Sequence, residues 1–330
     1  MASLNQYFKG LKYYTKAAFI YRSLRSYLRN EFAADLNFPS IIKKDYFYHS
    51  PYYNRTKQYM HANHFFGELL CLLRGKVLQP NERMRFTNLS SCAPIFDDFF
   101  EKDADLNHIL QLLHHPDPNQ AKTDEELLAV HFLNNILDSL DQREEFLNAA
   151  ENLFLAQVKS KTQSNNKLSP DELLEISLSK GGYSGLMYAH LLASEKNGSF
   201  IKMAYLLGSY GQLMDDVFDL YDDAKEGIRT FANQSHSVKE IEDIIQNMED
   251  AVYKQIRNLQ NDQYQIKDFL AVFQIFSSTV KIAIQQYRKI EQEQRISPIS
   301  CLELDRSYWI IDMEKPANIW RLFITSIKRL

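Results

Sequence analysis

The stretch Gly211–Thr230, GQLMDDVFDLYDDAKEGIRT, decides how this chain is read. At about 100° per residue, with Asp215 at zero, a helix puts Asp222 at about −20°, Glu226 at about 20°, Asp219 at about 40°, Asp223 at about 80° and Asp216 at about 100°. Six carboxylates therefore share one face. Met214, Val217, Phe218, Leu220 and Tyr221 fill the remaining arc, so the helix is packed on its other side and cannot splay its acids outward. Like charges four apart cost about 0.2–0.5 kcal/mol per pair even on an exposed helix, and more when partly desolvated. Something cationic has to compensate, and Lys225 and Arg229 are too few. Carboxylate-only sets suit hard, oxygen-preferring ions such as magnesium or manganese. The alternative is a solvated acidic face, which usually interleaves Lys and Arg at four-residue spacing.

A second acidic string lies upstream, PIFDDFFEKDAD at residues 94–105. With Asp97 at zero, Glu101 falls at about 40°, Asp105 at about 80° and Asp98 at about 100°, whereas Asp103 points away at about 240°. The geometry repeats that of the first string. Magnesium keeps several waters and takes one or two carboxylates plus substrate phosphates, so two acidic helix faces imply a diphosphate between them. Between the strings lies LSKGGYSGLMYAHLLA, residues 178–193. Lys180, just before Gly181 and Gly182, is either a solvated lysine at a bend or an ammonium for a phosphate oxygen beside a glycine-permitted close approach.

Composition supports a helical reading. Of 330 residues, Gly is 10 and Pro 9, too few for a fold built from tight turns. Hydrophobic residues at 45% and charged residues at 24% match ordinary globular chains and argue against disorder. The 21 Phe, 19 Tyr and 2 Trp suggest that any cavity is lined with rings. A net charge of −4 argues against a dominant nucleic-acid surface. Cys71, Cys92 and Cys301 are odd in number and widely spaced, which fits neither a disulfide framework nor a zinc knuckle. No run of 18 apolar residues and no secretory h-region is present, so a soluble, cytoplasmic protein is expected.

The first acidic residue is Glu31. Before it stand Lys9, Lys12, Lys16, Arg22, Arg25 and Arg29 among seven aromatic rings. This segment could lie on a membrane surface, although an amphipathic helix packing its rings on the protein is the plainer reading. Residues 38–55 read as an irregular linker. Helices are expected near 55–74, 81–92, 94–114, 123–159, 170–195, 198–226, 236–260, 265–293 and 305–329. The expectation is one all-α domain over 55–330, with residues 1–54 as a basic aromatic segment packed on it.

These residues resemble the class I isoprenoid synthases, the superfamily of trans-prenyltransferases, squalene and phytoene synthases and terpene cyclases. Asp97-Asp98-Phe99-Phe100-Glu101 resembles the family's first aspartate-rich motif, DDxx(D/E). Lys180-Gly181-Gly182 is similar to its KT(G/A) lysine element. Residues 210–219, YGQLMDDVFD, resemble FQxxDDxxD, and Asp215, Asp219 and Asp223 match the spacing of the metal triad that cyclases write as Asn, Ser and Glu. The motifs occur in the family's order and the resemblance spans roughly residues 55–290.

The resemblance implies a single-domain helical bundle around a central cavity. It also implies three magnesium ions, or manganese, held by Asp97, Asp98, Glu101, Asp215, Asp219 and Asp223. Ionisation of a prenyl diphosphate would leave an allylic carbocation that aromatic faces stabilise. Lys180, Arg229 and Arg288 are the candidates for the substrate's phosphates, and Asp97, Asp98, Lys180, Asp215 and Asp219 for catalysis. Tyr287-Arg288 and the stretch 305–322 could close the cavity mouth, with Arg306 and Lys315 as further cations.

The chain departs from head-to-tail prenyltransferases, which carry a GGKR-like element and an Arg-Arg pair for isopentenyl diphosphate. No Lys or Arg occurs from Asp103 to Leu113. A terpene synthase that cyclises or quenches the cation is the first expectation. A prenyltransferase joining two isoprenoid diphosphates, head-to-tail or as in squalene and phytoene synthases, is the second. A catalytically silent diphosphate binder or partner subunit is the third. Homodimer formation is left open.

Overall fold

A computed structural model of the chain describes all residues except 1–3, 31, 33–35, 37, 39–43, 102–103, 194–196, 260–265 and 328–330. The described residues form helices and no strand, as the low Gly and Pro content leads one to expect. Contacts group them into two compact units. One comprises Ala18–Leu155 and Leu186–Lys196, the other Met1–Ala17, Ala156–Gly185 and Asn197–Leu330. No described helix is long and apolar enough to cross a membrane.

In the first of these units, the helices Pro51–Leu72 and Pro80–Glu101 pack along each other, and Asp124–Leu137 packs on the second. The described residues of 38–55 are more ordered than the expected linker. They contain the short helix Lys44–His49, and Pro51 occupies the first turn of the next helix behind an extended Ser50, where its fixed φ suits helix initiation. The rings of Phe38, Phe47, Tyr48, Tyr53 and Phe132 meet here at centroid distances of 5.0–6.0 Å. Burying Phe47 and Phe132 in this aromatic cluster offsets the turn-forming tendency of Pro51.

Pro94 does not end its helix, contrary to the expected break at 92–94. An internal proline costs about 3 kcal/mol. Beyond it, however, Ile95, Phe99 and Phe100 are buried, each contributing about 1.5–3 kcal/mol. The chain therefore stays helical to Glu101. The expected helix 94–114 then breaks, because Asp105 leaves the helix to cap the next one, Leu106–His114. Its Oδ1 accepts from the N–H groups of Asn107 at 3.1 Å and His108 at 3.3 Å. Asp105 thus serves as an N-cap and not as a fourth member of the acidic face. Asp103 lies outside the described residues. The expected helix 123–159 is likewise two, Asp124–Leu137 and Arg143–Ser160.

In the other unit, Gly198–Phe218 packs against Val238–Asn258 and Ile266–Gln294, and Pro316–Ile327 lies on the latter. The expected helix 305–329 is divided into Arg306–Trp309 and Pro316–Ile327. Trp309 and Tyr287 are fully buried with ring centroids 5.3 Å apart, and Tyr287 Oη donates to the Val217 carbonyl at 2.8 Å. That bond ties the helix Ile266–Gln294 to the last turn of Gly198–Phe218, within the acidic string.

Candidate active site

The helix Pro170–Leu191 runs unbroken through Gly181 and Gly182. The glycines serve close approach. A Cβ on Gly208 would sit 2.1 Å from the Gly181 carbonyl oxygen, and one on Gly181 would sit 2.4 Å from that of Gly208. Gly185 meets the Ala204 carbonyl in the same way, at 2.1 Å. Three missing side chains therefore let this helix lie backbone to backbone against Gly198–Phe218. The crossing sets Ser177 and Lys180, one turn apart, beside the first acids of the 215–223 string.

Ser177 Oγ donates to Asp216 Oδ2, and Gln212 Nε2 donates to Asp216 Oδ1 at 2.9 Å and to Asp215 Oδ2 at 3.2 Å. Asp216 is only 5% exposed. Burial raises its pKa to about 6, with Asp215 adding to the rise, against the Ser177 and Gln212 hydrogen bonds and the Lys180 charge. Asp215 is exposed as a residue, and desolvation of its carboxyl raises its pKa. Lys180 and Gln212 oppose that rise.

The expected helix 198–226 breaks for one residue at Asp219, whose φ of −92° and ψ of 8° separate Gly198–Phe218 from Leu220–Glu226. The acidic register survives the break. Asp219 N–H donates to the Asp215 carbonyl and Asp223 N–H to that of Asp219, both at 2.8 Å. Desolvation, then the charges of Asp215 and Asp222, raise Asp219 to about 6. Desolvation followed by Asp216, Asp219 and Asp215 raises Asp223 to about 8, against Lys180. Asp222 faces the opposite situation: Arg306 donates to both its oxygens at 2.6 Å and holds its pKa below the usual carboxylate value.

The first acidic string is compensated by the protein itself. Asp98, 7% exposed, accepts from Tyr52 Oη at 3.0 Å and pairs with Arg55, while Tyr59 Oη donates to Asp97. Tyr52, Arg55 and Tyr59 recur on one face of the helix Pro51–Leu72. Burial, then the Asp97 charge, pushes the Tyr59 phenol up. The Glu101 side chain lies outside the described residues.

No family model matches this chain, and no curated protein matches it. Among solved structures it is similar to a dehydrosqualene synthase in complex with ligand, at 13% identity and a TM-score of 0.46, over 97% of this chain and 96% of that one.

Of the expected phosphate cations, Lys180 lies among the acids and Arg306 sits on Asp222, where its charge also opposes the rise of Asp219. Arg229 is taken up by its loop: it donates to the Gln234 side chain at 3.0 Å and to the carbonyls of Asn165 at 2.8 Å and Leu168 at 3.2 Å. Arg288 pairs with Glu242 on the helix Val238–Asn258. Among the described residues, no three His, Cys, Asp or Glu groups converge closely enough to hold an ion by themselves. The donor chemistry of Asp215, Asp216, Asp219, Asp223 and Gln212 is all oxygen, and it fits an ion that takes one or two carboxylates and completes its shell with water and phosphate.

Sequence reasoning missed Arg55, Tyr52, Tyr59 and Ser177. The only signals for them were the i, i+3, i+7 spacing of Tyr52, Arg55 and Tyr59 and the one-turn offset of Ser177 from Lys180.

Proposed function

We propose that this chain binds a prenyl diphosphate at the 215–223 string and ionises it in a metal-dependent class I reaction. The observation that carries this is the excess of negative charge: Asp215, Asp216, Asp219 and Asp223 all have raised pKa values, against Lys180 and an Arg306 already bonded to Asp222. A site built so lacks cations, and the acids relax when cations arrive. Asp215, Asp219 and Asp223 would hold magnesium, whose charge would offset that of the departing diphosphate oxygens.

The chain's own part is positioning. Ser177 and Gln212 orient Asp216 and Asp215, the glycine crossing fixes Lys180, and the Lys180 ammonium meets a phosphate oxygen with a charge-assisted hydrogen bond.

A one-substrate reaction is the better reading, in which the cation is cyclised or quenched by water. A second diphosphate needs its own cations. Residues 103–113 provide none, and Arg55, next to the first acidic string, is already paired with Asp98.

The test is inorganic diphosphate release from single allylic diphosphates with magnesium, followed by mass spectrometry of the organic extract. Turnover without a co-substrate is expected. Asp219→Asn should lower kcat/KM by at least about a hundredfold, about 2.7 kcal/mol. Turnover only when isopentenyl diphosphate or a second allylic molecule is supplied would replace this reading with the prenyltransferase one. No turnover, together with an unchanged Tm in millimolar magnesium and diphosphate, would remove the diphosphate site altogether.

A further inference from the structure

The two ends of the chain are its basic parts. Residues 1–30 carry six Lys and Arg and no acid, and residues 306–330 carry five against Asp312 and Glu314. With −4 overall, +6 at one end and +3 at the other leave −13 for everything between.

The chain up to Ala17, with Lys9, Lys12 and Lys16, falls within one unit with the C-terminal stretch, whereas Ala18–Asn30 belongs to the other. Tyr14 of the helix Leu4–Asn30 meets Phe323 of Pro316–Ile327 edge to face at 5.0 Å, and Ser326 Oγ donates to Tyr14 Oη at 3.1 Å. The surface around this contact is apolar. In PANIWRLFITSI only Ser326 and Ile327 are buried; Trp320 is 62% exposed and Ile319 49%. Leu11, one turn before Tyr14, is 54% exposed. Trp320 lies against Phe323 at 5.7 Å, so the exposed ring is held in place. Lys12 and Lys315 are exposed, and Arg321 contacts only the amide oxygens of Asn318 and Gln285.

Scattered apolar side chains need no explanation. An exposed Trp, Ile and Leu beside Lys12, Lys315 and Arg321 is the pattern of a helix lying in a headgroup layer, where indole takes the interface and Lys and Arg meet lipid phosphate. A second copy of this chain would bring the same positive charge to the contact, which disfavours self-pairing here. We propose that this joint surface of the N-terminal helix and the helix Pro316–Ile327 docks on an anionic lipid bilayer, with Trp320 and Ile319 entering the interface. The proposal does not depend on the reading of the acidic site.

The full chain is mixed with vesicles of phosphatidylcholine alone or with about 30 mol % phosphatidylglycerol, and both sedimentation and tryptophan emission are followed. Trp309 is fully buried, so a blue shift reports Trp320. Binding to the anionic vesicles should exceed that to neutral ones by at least about tenfold and fall toward the neutral level in about 0.5 M salt. Ile319→Asp, with unchanged Tm, should lose it. The proposal is overturned by no binding to anionic vesicles, by equal binding to both, or by binding that Ile319→Asp leaves intact. It is equally overturned by light scattering that shows a dimer which Ile319→Asp dissociates, because a second copy would then cover the surface.

Discussion

Replacing Asp98 by asparagine removes the charged acceptor that Arg55 and Tyr52 share. The guanidinium would be left without its partner beside a nearly buried group, at a cost of about 1–3 kcal/mol. Arg55→Met placed on top of Asp98→Asn should recover much of that loss, which a denaturant-unfolding cycle measures. An Asp98→Asn variant as stable as wild type would mean that Asp98 has no structural role and is held for a ligand alone.

Asp223 shows the opposite case at the same scale. Its folded pKa of about 8 stands above the 3.8 of an unperturbed aspartate. The unfolded chain therefore releases this proton first as pH rises, so stability falls between about pH 4 and 8 and levels off above. Asp223→Asn removes that dependence. Without metal, its Tm should exceed that of wild type by more at pH 8 than at pH 5.5. A gain that is the same at both pH values would contradict the raised pKa.

At the scale of elements, the crossing of Pro170–Leu191 with Gly198–Phe218 is the most exacting contact near the acids. Gly208→Ala puts a methyl 2.1 Å from a backbone oxygen, so the helices have to separate, at about 1–3 kcal/mol. Gly198, at the start of the same helix, has nothing within 4 Å of its missing Cβ, and Gly198→Ala should be neutral or slightly stabilising. Melting temperatures of the pair check this. If the crossing also positions Lys180, Gly208→Ala should lower kcat/KM beyond what its stability loss explains, measured well below Tm.

The crossing was half legible in the sequence, because Lys180-Gly181-Gly182 marks a close approach but names no partner. Helical class and the Asp215, Asp219, Asp223 register were legible because both follow from local spacing. Where local signals compete with packing, reading fails. Pro94 is overruled by the buried Ile95 and Phe99, and Asp105 finds a better use as a cap. Arg55 on Asp98 and Arg306 on Asp222 are pairings across 43 and 84 positions of chain, which no periodicity encodes.

Across the whole molecule, the three cysteines are probes already in place. All are buried, and burial raises the thiol pKa of Cys92 to about 12 and of Cys301 to about 11, so little reactive thiolate exists at neutral pH. Cys71 and Cys92 belong to one compact unit and Cys301 to the other. Alkylation followed residue by residue in increasing denaturant should show Cys71 and Cys92 becoming reactive over one shared range, since their helices pack directly on each other. Separate ranges for these two would show that the unit does not open as a whole.

The uneven distribution of charge has a practical consequence at the bench. A chromatographic resin responds to the patch it meets, and the molecule's average matters less. A protein of net −4 would be expected to pass through a sulfonate column at neutral pH. With Lys9, Lys12 and Lys16 in one unit with Lys315 and Arg321, and −13 between the chain ends, this one should be retained both there and on a quaternary-amine column. Charge reversal at Lys12, Lys315 and Arg321 should abolish retention on the sulfonate column alone.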